Sequence, residues 1–136
     1  MAGYSGTPLL KKIGIKDGDR VLLVNPPRNL PDELRDYADE QPKQNIDVVV
    51  LFAMSQAEFR SAFAKAAKQI QPDGMIWIAW PKKASGIKTD LTEDVIRNFA
   101  LEGTFVDVKV CAIDETWSGL KLVIRKELRP ARAAKA

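Results

Sequence analysis

The chain has 136 residues, 46% of them hydrophobic, with a formal net charge of +3. That length fits one domain able to bury roughly two-thirds of its unfolded surface, and the apolar share excludes a disordered chain. The single cysteine, Cys111, excludes an internal disulfide framework, and the absence of histidine removes the usual general base and the commonest metal ligand, so no metal site is expected.

In chain order, Thr7-Pro8 before Leu9, Leu10 and Ile13 predicts a short helix, with Thr7 as cap, Pro8 at the first helical position and Gly14 as stop. Arg20 to Asn25 predicts a short, almost wholly apolar strand. Leu30, Leu34, Tyr37 and Ala38 share a helical face between Pro31 and Pro42. Ile46 to Ala53 follows, and its Val48–Phe52 core does not alternate. A strand apolar on both faces belongs inside a parallel sheet covered by helices.

Ser55-Gln-Ala-Glu58 reads as a capping box, opening a helix with Phe59, Phe63, Ala66 and Ile70 at helical spacing. Gln71-Pro-Asp-Gly74 reads as a β-turn, with proline setting the bend and glycine closing it. Met75 to Trp80 is the third strand. Asp90-Leu-Thr-Glu93 reads as a second capping box, ahead of Val95, Ile96, Phe99 and Ala100, and Gly103 ends that helix. Phe105–Ile113 sets Val106, Val108 and Val110 against Asp107 and Lys109. Leu120, Leu122 and Ile124 alternate with Lys121 and Arg125, and Asp114–Gly119 connects these two strands as a hairpin loop.

Strands alternating with helices argue for α/β architecture: a mostly parallel sheet of about five strands in a three-layer sandwich, closed by an antiparallel hairpin. Residues 1–128 form a single domain and 129–136 a basic, disordered tail. From Lys121 onward six basic residues face one acid, Glu127. No apolar run reaches the ~20 residues of a membrane span, and the first residues lack a signal pattern. A reducing, cytoplasmic setting without membrane contact is the expectation. The Phe105–Ile113 strand at a sheet edge leaves room for a homodimer, which Asp107 and Lys109 oppose.

Two resemblances follow from particular blocks. GIKDGDRVLLVNPP is similar to the opening of class I, Rossmann-like methyltransferases, and DVVVLF and QPDGMIWIAWPKK resemble their fourth and fifth strands. The closing hairpin matches as well. That resemblance implies a cofactor turn after the first strand, made of an acid and a Gly-x-Gly, for S-adenosylmethionine. This chain has neither: Asn25-Pro26-Pro27 stands in the turn, and proline supplies no N–H. Two strand–helix units of that family are also missing, so no cofactor is expected. GYSGTPLLKKIGI, WPKKASG, TDLTEDVIR and VCAIDETWSGLKLVIR resemble an uncharacterised bacterial family of domains of unknown function, across Gly3 to Arg125.

Ligands of open α/β sheets sit beyond the carboxyl ends of the parallel strands. The topology brings Asn25, Arg28, Lys82, Lys83, Ser85, Asp114, Glu115 and Trp117 to that rim. The lysines are an anion clamp or a solvated pair; Asp114 and Glu115 are a general-acid pair or an acidic hairpin tip. Trp117 is an exposed contact or folds back over the sheet. Ser55 is accounted for as a cap, and Cys111 as a small hydrophobe. The favoured function is a non-catalytic module binding a small anion or a protein. The alternatives are a diverged transferase using Asp114, Glu115 or Lys82, and weak nucleic-acid binding through Arg28, Lys82, Lys83 and the tail.

Overall fold

A computed structural model describes residues 8–38 and 41–130. Five strands form one sheet: β1 (Val21–Val24), β2 (Ile46–Phe52), β3 (Ile70–Pro81), β4 (Phe105–Ala112) and β5 (Trp117–Ile124). Their spatial order is β1-β2-β3-β5-β4. The first three run parallel, and β5 is antiparallel to both β3 and β4. Four helices flank the sheet: α1 (Leu9–Ile13), α2 (Asp32–Ala38), α3 (Gln56–Ala67) and α4 (Glu93–Leu101).

Period-two alternation in β1 explains the layering. Leu22 joins a core under α3 and α4, with Phe59, Phe63, Ile96 and Leu120. Val21 and Leu23 join a second core under α1 and α2, with Leu9, Ile13, Leu34 and Trp77. Every residue of β2 is buried, as its unbroken apolar run requires of a strand covered on both faces. Among the described residues, no helix is long and apolar enough to cross a membrane.

Several local expectations are corrected. Gln71–Gly74 is not a turn between a helix and a strand; it lies within β3 as an irregularity. Ile46 pairs with Ile70, and Val48 already pairs with Met75. The proline and glycine that suggest a turn here serve a bulge, which uses the same backbone chemistry. A Cβ on Gly74 would sit 3.0–3.1 Å from the carbonyl oxygens of Gln71, Ile46 and Asp47. Ile70 consequently belongs to β3 and not to the helix before it.

The helix starts also differ. Pro8 occupies the cap position of α1, one residue before the first helical one, and Thr7 lies outside the described residues. Gly14 stops the helix at φ 94°, as expected of a left-handed cap. Ser55 Oγ accepts the Glu58 N–H at 3.1 Å. The Glu58 carboxylate returns to the Met54 N–H (2.7 Å), one residue earlier than in a standard capping box. The cap of α4 is Thr92, not Asp90. Asp90 Oδ1 instead accepts the N–H of Gln56, the first residue of α3, at 2.8 Å.

In β4 the alternation breaks. Asp107 pairs with Leu122 and Lys109 with Lys121, so Val108 is extruded as a bulge residue. Val108 and Val110 are exposed as a result. The tail residues 131–136 lie outside the described residues.

Candidate functional site

The rim is assembled by backbone bonds between loops that are distant in sequence. Ala53 N–H donates to the Ala79 carbonyl at 3.0 Å, carrying the β2–β3 ladder one step past β2. Lys82 N–H donates to the Thr116 carbonyl at 2.9 Å, which ties the end of β3 to the β4–β5 connection. Thr89 Oγ1–H donates to the Met54 carbonyl at 2.7 Å. The carboxyl ends of β2 and β3 and the hairpin tip therefore form one continuous border.

Asn25 follows β1 with φ 52°. A left-handed residue does stand in the turn, supplied by asparagine, which tolerates that region better than most side chains. Pro26 and Pro27 come next and offer no N–H. Arg28 is exposed just beyond them.

The hairpin tip is closed on itself. The connection is four residues, Ile113–Thr116, because Trp117, Ser118 and Gly119 belong to β5. Asp114 Oδ1 accepts two backbone N–H groups, from Thr116 and from Trp117, both at 2.8 Å. That is an Asx-type turn, in which a short carboxylate replaces a backbone acceptor. Trp117 is not an exposed contact: it is 7% exposed. Its ring meets Phe52 edge-on, with centroids 5.2 Å apart and planes at 87°. That is the favourable geometry for two aromatic quadrupoles. Gly119 makes room nearby, since a Cβ there would lie 3.1 Å from Trp77 Cε3 and Ile113 Cδ1.

The β3 side of the rim behaves similarly. A single 3-10 turn at Lys83–Ser85 follows Lys82 and ends at Gly86 with φ 77°. Ser85 Oγ–H donates to the Lys82 carbonyl (2.7 Å), and Oγ accepts the Ile87 N–H (3.2 Å). Both capacities of the hydroxyl are engaged in holding its own turn. Lys83 and Glu115 are exposed, and Lys82 is half-buried.

Away from the rim, three lysines approach one face of the hairpin. Lys109 and Lys121 stand directly opposite each other. Burial lowers the Lys121 ammonium below its usual range, and Lys109 adds to that. Burial pushes the Cys111 thiol up, against the opposing pull of Lys12 and Lys109. On the other face, Arg97 binds Asp107 (3.0 Å), Asp94 (3.0 Å) and Glu93, joining α4 to β4. These carboxylates hold its guanidinium firmly in the charged form.

A groove of about 340 Å³ runs beside β1, with Leu22–Asn25 on one side and Lys43, Lys65 and Gln69 among its other walls.

Residues 29–126 match the family model described as protein of unknown function DUF3052. The chain belongs to the DUF3052 family. The match takes in the rim residues from Lys82 to Trp117 and stops short of Asn25 and Arg28. No curated protein matches this DUF3052 chain. A chain in a crystal structure titled as a fibrillarin/Nop5p complex is similar at a TM-score of 0.42 and 16% identity. The likeness covers 60% of the DUF3052 chain and 41% of that chain, so the DUF3052 chain spans less than half of its length.

Proposed function

We propose that this DUF3052 chain is a non-catalytic binding module on a shortened, methyltransferase-like α/β scaffold, and that its rim takes an anionic group. One observation carries the reading. Among the rim side chains with catalytic potential, Asp114 and Ser85 are engaged in holding the rim, while Glu115 is exposed and the cations are left without a carboxylate. Asp114 is occupied by two backbone N–H groups, Ser85 by its own turn, and Trp117 by Phe52. Arg28, Lys82 and Lys83 have no carboxylate partner among the described salt bridges. Carboxylate or phosphate groups, on a small molecule or a protein, suit such cations.

Support for the scaffold comes from the topology. An antiparallel strand, β5, lies between two strands that share the direction of the parallel set. Support for a vacated cofactor turn comes from Asn25-Pro26-Pro27, which lacks the backbone donors a carboxylate or ribose would need. A transferase would also need a poised proton carrier, and Asp114 serves instead as the acceptor of its own turn.

The test is a calorimetric titration with pyrophosphate, on the native chain and on the variant Arg28→Glu/Lys82→Glu/Lys83→Glu. Saturable binding that the variant loses while its circular dichroism is unchanged is the expected result. Equal titration curves for the two proteins, or no heat from either, would overturn the reading.

A further inference from the structure

The sheet has two free edges among the described residues, β1 and β4, and they differ in chemistry. Edge strands offer unpaired N–H and C=O groups, and proteins blunt them with charges, prolines or bulges. β4 has two of these devices: the bulge at Val108 and the adjacent Lys109. β1 is short but reads Val-Leu-Leu-Val, with no charge, proline or bulge.

The direction of its free groups follows from the ladder. The Arg20 carbonyl accepts the Val48 N–H at 3.1 Å, and Val21 pairs with Val48. In a parallel ladder alternate residues bond to the same neighbour. Arg20, Leu22 and Val24 therefore face β2, and Val21 and Leu23 direct their N–H and C=O outward. The groove of about 340 Å³ adjoins β1 from Leu22 to Asn25, so Leu23 borders it, with α3 at Lys65 and the segment through Lys43 as its other walls. Among the described residues its lining includes these two lysines and no acid, and both lysines are exposed.

We propose that the β1 edge and its groove accept an extended, acidic segment of a partner protein by strand addition, with carboxylates facing Lys43 and Lys65. Strand addition draws its affinity from main-chain bonds and its selectivity from the walls beside the strand. Charge decides the occupant. A second copy of this chain would set lysine against lysine. The segment from Arg125 to the C-terminus is basic, and residues 1–7 contain no acid. The surface lies outside the cationic rim, sharing only Asn25 with it.

The probe is a pair of acetylated hexapeptides, Glu-Val-Glu-Val-Glu-Val and Lys-Val-Lys-Val-Lys-Val, titrated into 15N-labelled full-length chain. The glutamate peptide should shift the Val21 and Leu23 amide resonances and slow their exchange with solvent, and the lysine peptide should not. Lys43→Glu/Lys65→Glu, at two exposed sites, should weaken the glutamate peptide by about tenfold. The triple rim variant at Arg28, Lys82 and Lys83 should bind it as the native chain does, which separates this surface from the rim. Absent or equal binding of the two peptides, or shifts mapping away from β1, would overturn the proposal. So would a dimer in sedimentation equilibrium that protects Val21 and Leu23 without peptide.

Discussion

The indole Nε1–H of Trp77 donates to the carbonyl of Ile13 at 2.9 Å, in the buried centre of the molecule. Trp77 lies in mid-β3 and Ile13 is the last residue of α1. One bond thus pins a five-residue helix, too short to hold itself, to the middle of the sheet. It also gives a partner to a helix-end carbonyl that would otherwise be buried without one. Trp77→Phe keeps a large ring but leaves the Ile13 carbonyl unsatisfied. A loss of about 1–3 kcal/mol is expected, read as a lower guanidinium midpoint at unchanged slope.

Asp114 is a turn-holding acceptor in this account, and its substitution separates that role from proton transfer. Asp114→Ala removes the acceptor of two backbone N–H groups and should cost about 1–2 kcal/mol. Asp114→Asn keeps an oxygen in the same place and should recover most of the loss. Equal destabilisation by both variants would show that the negative charge, and not the acceptor geometry, is what matters.

Lys109 and Lys121 face each other across the hairpin, and like charges directly opposite weaken a sheet. Lys109→Glu turns the pair into an attractive one at an exposed position. A gain of about 0.5 kcal/mol is expected, shrinking as salt is added. A loss of stability in low salt would refute the pairing.

Cys111 sets a pH dependence of known sign. Burial favours its neutral thiol, so its folded value lies above the ordinary 9.0. The stability this group contributes is fully present below that ordinary value and is lost as pH rises through the folded one. Comparing the native chain with Cys111→Ala at pH 8 and pH 10 isolates this term from that of Lys121. The native chain should lose more stability between the two conditions than the variant does.

The legible parts of this sequence were those that local pattern decides. The unbroken apolar run of β2 announced a strand buried on both faces, and Leu34 and Tyr37 announced a helix with one packed stripe, although Leu30 of the same pattern is buried just ahead of that helix. The misread parts depend on partners far along the chain. Asp90-Leu-Thr-Glu93 offers two possible caps, and only the approach of Gln56 shows which task Asp90 performs. Proline and glycine at 72 and 74 mark a turn or a bulge equally well, and pairing with β2 decides between them. Trp117 was legible as an unusual rim residue that is either exposed or folded back over the sheet, and Phe52, from another strand, decides for the second. The strands whose ends carry these residues were legible, and the engagement of Asp114 and Ser85 in their own turns was not. The groove beside β1 had one sequence signal, the short span from Asn25 to Ile46, and among the described residues no strand pairs with the outer side of β1.

The proposed function has Asn25-Pro26-Pro27 standing where a methyltransferase-like fold would carry its cofactor turn. Calorimetric titration of the full-length chain with S-adenosylmethionine tests it most directly. No binding heat is expected at any concentration up to the millimolar range, because Pro26 and Pro27 supply no backbone N–H in that turn. Saturable binding at micromolar concentration would contradict it.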